Sequence, residues 1–119
     1  MPERAVIAGV GMAPFTSVHS NVAELAVHAV RSALSDAGLD AELVDQAVAS
    51  HADGDSRSSE RVIHGVGITG IAISNVSNGT ASGSAALLHA RQALLSSEAQ
   101  CVLAFGFGQV DDWSAPAQA

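Results

Sequence analysis

The sequence contains no lysine and no tyrosine, and its five basic residues, all arginines, are outnumbered by twelve acidic ones. The formal net charge of -7 offers no basic surface, so neither nucleic acid nor an anionic membrane is expected as a partner. A single cysteine excludes a disulfide framework within the chain. There is no basic region followed by an apolar run at the N-terminus, and no apolar stretch of membrane-spanning length. These absences predict a cytoplasmic protein.

Aromatic residues make up only 3% of the chain, although 48% of its residues are hydrophobic. The core must therefore consist mainly of alanine, valine, leucine and isoleucine. A length of 119 residues is enough for one domain and too little for two. We expect one domain over residues 1–108 and a flexible tail over 109–119, where no hydrophobic periodicity remains.

Apolar runs and helix signals alternate along the chain, which predicts an α/β fold with a mostly parallel sheet flanked by helices. Strands are predicted near 4–10, 44–50, 71–76 and 101–107, and the first is expected to be buried on both faces. Helices are predicted near 21–37 and 83–98, with a shorter one over 61–66. The polar segment from 51 to 61 is predicted to be a surface loop.

The first long helix has the clearest signals. Asn21 is expected to cap it, with Glu24 completing a capping-box-like pair, and Gly38 is expected to end it with Leu39 in a Schellman contact. His28 is expected on the solvent side of this helix.

Two ligand motifs are only superficially present. Gly9 and Gly11 follow a strand pattern, but the third glycine of a dinucleotide-binding fingerprint is missing and Pro14 follows. Asp53 and Asp55 suggest a calcium loop, but the spacing of an EF-hand is absent. Neither a dinucleotide nor a metal is expected.

Residues 71–87, IAISNVSNGTASGSAAL, pass directly from a strand pattern into a turn and then into the start of a helix. Small residues from Ser77 to Ser84 let backbone amides approach a ligand closely. The apolar run from Ala85 onward places the turn at a helix N-terminus. Unpaired amide donors and the positive end of the helix dipole converge there, which predicts a site that stabilises an anion or a developing oxyanion.

This segment resembles the nucleophile turn of the thiolase superfamily, in particular its sterol-carrier or lipid-transfer type, where a strand ends in a pattern such as V-N-N-N-C-A-T-G-S. Val76 to Ser84 read V-S-N-G-T-A-S-G-S, so Thr80 occupies the place of the family's acylated cysteine. The resemblance implies a thiolase-like N-terminal half with a coenzyme A thioester as substrate and no other cofactor. The residues it implies for substrate binding are Asn78, Gly79, Ser82, Gly83 and Ser84. A threonine hydroxyl is hardly ionised near neutral pH and carries a hindering methyl, so thiolytic chemistry at Thr80 is not expected.

The resemblance covers almost all of this chain but only the first part of the family's fold. The family's other catalytic motifs, with an asparagine in N-E-A-F, a histidine in G-H-P and a second cysteine in C-x-G, do not occur here. The chain alone would supply half an oxyanion hole, through the amide of Thr80, without an acid or a base. The resemblance therefore implies a thiolase-like subunit or fragment that is not a thiolase on its own. The alternative is one half of a two-chain acyltransferase or aldolase that acts on acyl-CoA carrying lipid or steroid side chains.

Association is also expected. Four strands and two or three helices cannot cover both faces of the sheet, and the helix over 84–99 is apolar on most sides. The strand over 71–76 resembles the thiolase strand that pairs across a dimer interface. We expect a homodimer or a complex with a chain that supplies the C-terminal thiolase half.

Two further reactive side chains are assigned structural roles. His89 lies more than two helical turns from Thr80, over about 12 Å at a rise of about 1.5 Å per residue, so a core or interface histidine is expected instead of a general base. Cys101 is expected to be a small, buried residue, because nothing near it in sequence would lower its pKa.

Overall fold

The computed structural model describes residues 4–13, 22–51, 56–77 and 82–107. Its helices are α1 (Val22–Ala37), α2 (Ser56–Val66) and α3 (Ser82–Leu95), and its strands are β1 (Gln46–His51), β2 (Ala72–Val76) and β3 (Val102–Phe107). A single 3-10 turn, Ala41–Leu43, precedes β1. Within the described ranges, no helix is both long and apolar enough to cross a membrane.

The strands form one sheet in the order β2-β1-β3, and both pairings are parallel. In the register of this sheet, Ser50 lies opposite Val76 on one side and Gly106 on the other. The expected α/β fold with a parallel sheet flanked by helices is confirmed. Helices separate the strands in sequence, so each connection has the length that a parallel crossover needs.

Helices cover the two faces of the sheet unequally. On one face, α1 and α2 pack against the inward side chains of β1 and β3 through a core that includes Val30, Ile63 and Phe105. On the other face, α3 contributes Ala86 and Ala90 to a smaller cluster around Val48. The contact residues of α3 are alanines, which lets this helix approach the sheet closely. Its leucines lie elsewhere: Leu87 is 54% exposed and Leu88 is 52% exposed.

The prediction of a strand over residues 4–10 is wrong. β1 pairs directly with β3, and the segment over 4–13 has no regular secondary structure and lies against α1, outside the sheet. Gly9 and Gly11 explain the placement, because a Cβ on Gly11 would lie 2.4 Å from the backbone nitrogen of Ala33. The Val10 N–H also donates a hydrogen bond to the Asp36 carboxylate at 2.9 Å. The apolar run therefore reflects contact with a helix on one side, and Val6 remains 76% exposed.

The prediction of a loop over residues 51–61 is wrong from Ser56 onward, because α2 begins there and not at Arg61. Polar side chains on the solvent side of α2 hide its periodicity in the sequence. Its inner side consists of Ser59, Val62 and Ile63, which are all fully or almost fully buried. These residues recur at helical spacing, so their burial against the sheet stabilises the added turns.

The end of α1 agrees with the sequence-based expectation. The N–H of Leu39 donates to the carbonyl of Leu34 at 3.1 Å, and the N–H of Gly38 donates to the carbonyl of Ser35 at 3.2 Å. This is the hydrogen-bond pattern of a Schellman motif, with Gly38 at a φ of +69°. The expected cap at Asn21 and the tail over 109–119 lie outside the described residues.

Candidate functional site

The three parallel strands end at one edge of the sheet, at His51, Val76 and Phe107. His51 lies opposite Phe107 in the register, so β1 and β3 end together. The helix that follows β2 runs back toward the start of β3, so the N-terminus of α3 at Ser82 lies at this same edge. Ligands of open α/β sheets bind outside the carboxyl ends of the strands. This edge, formed by the ends of the three strands and the first turn of α3, is called the carboxyl edge below.

The buried polar side chains lie at or near the carboxyl edge. Within the part of the chain that the structure describes, the buried polar side chains are Ser50, Ser59 and Ser82. Ser50 is one residue before the end of β1, Ser59 contacts the end of β2, and Ser82 begins α3. No buried side-chain nitrogen or oxygen atom among these described residues lacks a hydrogen-bond partner. The polar groups are therefore held in place, which lowers the reorganisation needed to receive a ligand.

Ser50 holds β1 against β3. Its Oγ donates to the carbonyl oxygen of Phe105 at 3.4 Å. A Cβ on Gly106 would lie 2.7 Å from the same Oγ, so a larger residue there would require the Ser50 hydroxyl to move. The two strands thus meet tightly at the carboxyl edge.

Ser59 holds the end of β2. Its Oγ donates to Oδ1 of Asn75 at 2.6 Å, across sixteen residues of sequence. Asn75 is the penultimate residue of β2, and Ser59 lies on α2, so the hydrogen bond joins a helix to the strand that leads into the turn. Sequence reasoning missed this pair. The spacing of Ser59 with Val62, Ile63 and Val66 is helical and was the available signal.

The first turn of α3 contains three of the expected substrate-binding residues: Ser82 is buried, whereas Gly83 and Ser84 are exposed. A Cβ on Gly83 would meet no atom of the described structure within 4 Å, so the space beside this turn is open. The first N–H groups of a helix have no partner within the helix, and the helix dipole adds positive potential. The arrangement suits a carbonyl oxygen that gains negative charge. Asn78, Gly79 and Thr80 lie outside the described residues, so their expected roles stay predictions.

His89 is not a core histidine, because its side chain is exposed. It lines a cleft of about 290 Å³ together with Gln46, Ser74 and Glu98. Gln46 is the first residue of β1, so the cleft lies toward the amino ends of the strands, away from the carboxyl edge. The expectation that His89 is not a base for the turn is consistent with this place, and an interface role stays a prediction.

Cys101 is partly buried just before β3, and its thiol is free. Burial raises the pKa of the Cys101 thiol above its ordinary value, and the neighbouring Asp45 carboxylate raises it further. That carboxylate is fixed, because its Oδ2 accepts hydrogen bonds from the N–H groups of Gln100 at 2.7 Å and Cys101 at 3.1 Å. The expectation that nothing near Cys101 lowers its pKa is confirmed, so the thiol is a poor nucleophile.

Among the described residues, no three His, Cys, Asp or Glu side chains converge on a point that could hold an ion. His28, on α1, is exposed as expected. The groups described at the carboxyl edge include the backbone amides of the first turn of α3 and the hydroxyls of buried serines.

Comparisons with known proteins agree with this geometry. The family model of the thiolase N-terminal domain matches residues 5–115. The chain is similar to sterol carrier protein 2 of Gallus gallus, with 43% identity over 111 residues that cover 90% of this chain and 20% of the relative. It thus spans about a fifth of that relative's length.

Two solved structures are similar in both fold and sequence. The Ltp2-ChsH2(DUF35) aldolase has a TM-score of 0.76 at 27% identity, with 98% of this chain and 30% of that chain covered. A monomeric SCP2-thiolase-like protein type 1 from Mycobacterium smegmatis has a TM-score of 0.75 at 25% identity, with 92% of this chain and 24% of that chain covered. Because the family model matches nearly its whole length, the chain belongs to the thiolase N-terminal domain family.

Proposed function

We propose that the chain is a thiolase-like subunit that binds the thioester end of an acyl-CoA at the carboxyl edge and does not carry out thiolysis on its own. The observation that carries the proposal is the open first turn of α3 at the end of a parallel sheet, beside three buried serines. A thioester carbonyl accepts hydrogen bonds from such a turn without any titrating group.

Thr80 is the reason for excluding thiolysis. An acyl-enzyme forms when a thiolate attacks the thioester carbonyl, and a threonine hydroxyl needs a base to do the same. No histidine is placed by sequence near Thr80 to act as that base. Binding and polarisation of the thioester remain possible, because they need only the backbone donors of the edge.

The binding proposal is tested with Gly83→Glu. The new side chain has room, and a carboxylate near a helix N-terminus stabilises the helix, so the variant should be at least as stable as the parent. Its charge and bulk should nevertheless oppose a thioester oxygen at the same turn. We expect at least a tenfold weaker affinity for acetoacetyl-CoA, measured by isothermal titration calorimetry.

The matched control is Gln92→Glu, which adds the same charge at an exposed position further along α3. Its affinity for acetoacetyl-CoA should equal that of the parent. Equal weakening by both variants would assign the effect to net charge, and an unchanged affinity in Gly83→Glu would remove the carboxyl edge as the binding site.

A second candidate function is one half of a two-chain aldolase or acyltransferase on acyl-CoA. The similarity to the Ltp2-ChsH2(DUF35) aldolase, which covers 98% of this chain, favours it. A retro-aldol cleavage generates an enolate and requires no acyl-enzyme, so the absence of cysteine at residue 80 is compatible with it. The amide donors of the carboxyl edge would stabilise the enolate oxygen.

This candidate is tested by co-expressing the chain with a chain that supplies the C-terminal thiolase half and measuring acyl-CoA cleavage. We expect cleavage only when both chains are present, and loss of that cleavage in Gly83→Glu but not in Gln92→Glu. Equal cleavage in all combinations would exclude a role for this chain.

A further inference from the structure

Ser59 is a buried hydroxyl in apolar surroundings. Its side chain is 0% exposed, and its neighbours on the inner side of α2, Val62 and Ile63, are almost equally buried. A hydroxyl in such a place is costly unless it is hydrogen-bonded. Its donation to Oδ1 of Asn75 at 2.6 Å is at the short end of the usual range for such bonds. The pair is therefore a fixed contact and not an adjustable surface one.

Asn75 lies near the end of β2, so the hydrogen bond from Ser59 acts on the end of that strand. Asn75 precedes Val76, the last residue of β2, and the next helix, α3, begins at Ser82. Among the described residues, β2 pairs with β1 alone, because it lies at one end of the order β2-β1-β3. An edge strand has fewer ladder hydrogen bonds than a central one, so its end depends more on side-chain contacts. Ser59 supplies such a contact from α2.

We propose that Ser59 is a positioning residue, which through Asn75 fixes the end of β2 and thereby the approach of the chain to the carboxyl edge. Its effect on ligand binding rests on the proposed acyl-CoA site, whereas its effect on β2 does not. The alternative is a merely structural role, in which the hydrogen bond adds to global stability and has no local effect.

Amide hydrogen exchange in the ligand-free protein separates the two roles. In Ser59→Ala, the amides of β2 should exchange about five- to tenfold faster, as the loss of one side-chain hydrogen bond implies. The amides of β3 should exchange at the parent rate. Uniform acceleration over all three strands, or none, would overturn the proposal.

Further variants complete the test. Asn75→Ala removes the acceptor at an exposed position, so it keeps the test valid if Ser59→Ala does not fold. The double variant should accelerate exchange by less than the product of the two single-variant factors, because both single variants remove this hydrogen bond. Asn75→Asp keeps an acceptor oxygen for the hydroxyl and should restore the parent rate. Ser96→Ala, which removes a serine Oγ that donates to the Ala93 carbonyl at 3.2 Å, should leave β2 unchanged.

Affinity for acetoacetyl-CoA is measured on the same variants. Ser59→Ala should weaken it by about the factor by which β2 exchange accelerates, and Ser96→Ala should not. If the parent binds no acyl-CoA, the proposed function fails while the exchange data still decide the role of Ser59. If the parent binds and Ser59→Ala binds equally well, the positioning role toward the ligand is excluded and the proposed function stands.

Discussion

Ser97 adopts a left-handed backbone conformation with positive φ, and the residues in this conformation after the other two helices are glycines. It follows α3 with a φ of +66°, where Gly38 and Gly67 follow α1 and α2 with positive φ as well. A side chain costs about 1–2 kcal/mol in the left-handed region, part of which glycine recovers. We predict that Ser97→Gly raises the free energy of unfolding by about 0.5–1 kcal/mol, measured by urea denaturation. Gly38→Ala is the control and should lower it by about 1 kcal/mol; a less stable Ser97→Gly would contradict this account.

Cys101 allows a prediction of pH dependence. Because burial and then the Asp45 carboxylate raise the pKa of the Cys101 thiol, its alkylation by iodoacetamide should reach half-maximal rate at a higher pH than a free cysteine. The raised folded-state pKa means that this thiol contributes stability that is fully present below its unfolded pKa. That contribution is lost as pH rises through the folded pKa.

Asp45→Asn separates the two causes. The amide oxygen of asparagine can still accept hydrogen bonds from the backbone at residues 100 and 101, but the negative charge is gone. The pKa of Cys101 should fall in this variant and remain above the ordinary value, because burial is the larger cause. The alkylation rate of Cys101 is measured against pH. If its midpoint is the same in Asp45→Asn and in the parent, the carboxylate has no effect on the pKa of Cys101.

The segment over 4–13 packs on α1, and its close approach depends on Gly9 and Gly11. A Cβ on Gly9 would lie 2.6 Å from the Ala33 carbonyl oxygen, and one on Gly11 would lie still closer to the Ala33 nitrogen. We predict that Gly11→Ala lowers the free energy of unfolding by about 1–3 kcal/mol and makes the segment more sensitive to proteolysis. Gly83→Ala is the matched control, since its Cβ meets nothing and alanine favours a helix. It should raise the free energy by about 0.5–1 kcal/mol, and equal losses in both variants would contradict the contact.

The sequence predicts elements well wherever periodicity and end signals agree. It predicts α1 over 21–37 and β2 over 71–76, and the structure has them at Val22–Ala37 and Ala72–Val76. It wrongly assigns 4–10 to the sheet, because an apolar run records burial but not the partner that provides it. The close approach to α1 depends on contacts between residues distant in sequence, which a local pattern does not encode.

Only those features of the candidate site that are adjacent in sequence could be predicted from the sequence. The turn after β2 and the helix start at Ser82 follow from small residues and an apolar run that are adjacent in sequence. The hydrogen bond from Ser59 to Asn75 joins α2 to β2, and Ser50 reaches Phe105 over 55 residues. Neither contact follows from local spacing, because strand order decides which side chains meet.

At the scale of the whole molecule, exposed apolar side chains predict association. Leu87 and Leu88 on α3 are both more than half exposed, as are the large apolar side chains of 4–13. Adjacent exposed leucines favour burial against another protein surface. We predict a homodimer or a complex with a chain that supplies the C-terminal thiolase half, measured by sedimentation velocity at micromolar concentration.

Charged substitutions locate that surface. Leu87→Glu together with Leu88→Glu should abolish the association, while Leu43→Glu, at a leucine that is also 54% exposed but lies on the 3-10 turn, should not. The prediction would be contradicted if the parent protein sediments as a monomer both alone and when mixed with a chain that supplies the C-terminal thiolase half.

The last prediction concerns the reactivity of residue 80. Replacing Thr80 by Cys introduces a thiol just before α3, where the helix dipole favours the thiolate, whereas burial disfavours the thiolate of Cys101. The introduced thiol should therefore be alkylated faster than that of Cys101, as mass spectrometry of iodoacetamide-treated peptides would show.

Faster alkylation should not bring turnover with it. Thiolysis also needs an acid and a base, and no histidine is placed by sequence to serve the turn, so the wild-type chain and Thr80→Cys should both fail to cleave acetoacetyl-CoA. Thr80→Ala gives the baseline for the assay. If the purified wild-type chain turns over substrate and Thr80→Ala does not, the threonine hydroxyl is a working nucleophile. A base must then reach it from a part of the fold that the sequence pattern does not reveal, because an unassisted hydroxyl is too weak a nucleophile to account for that rate.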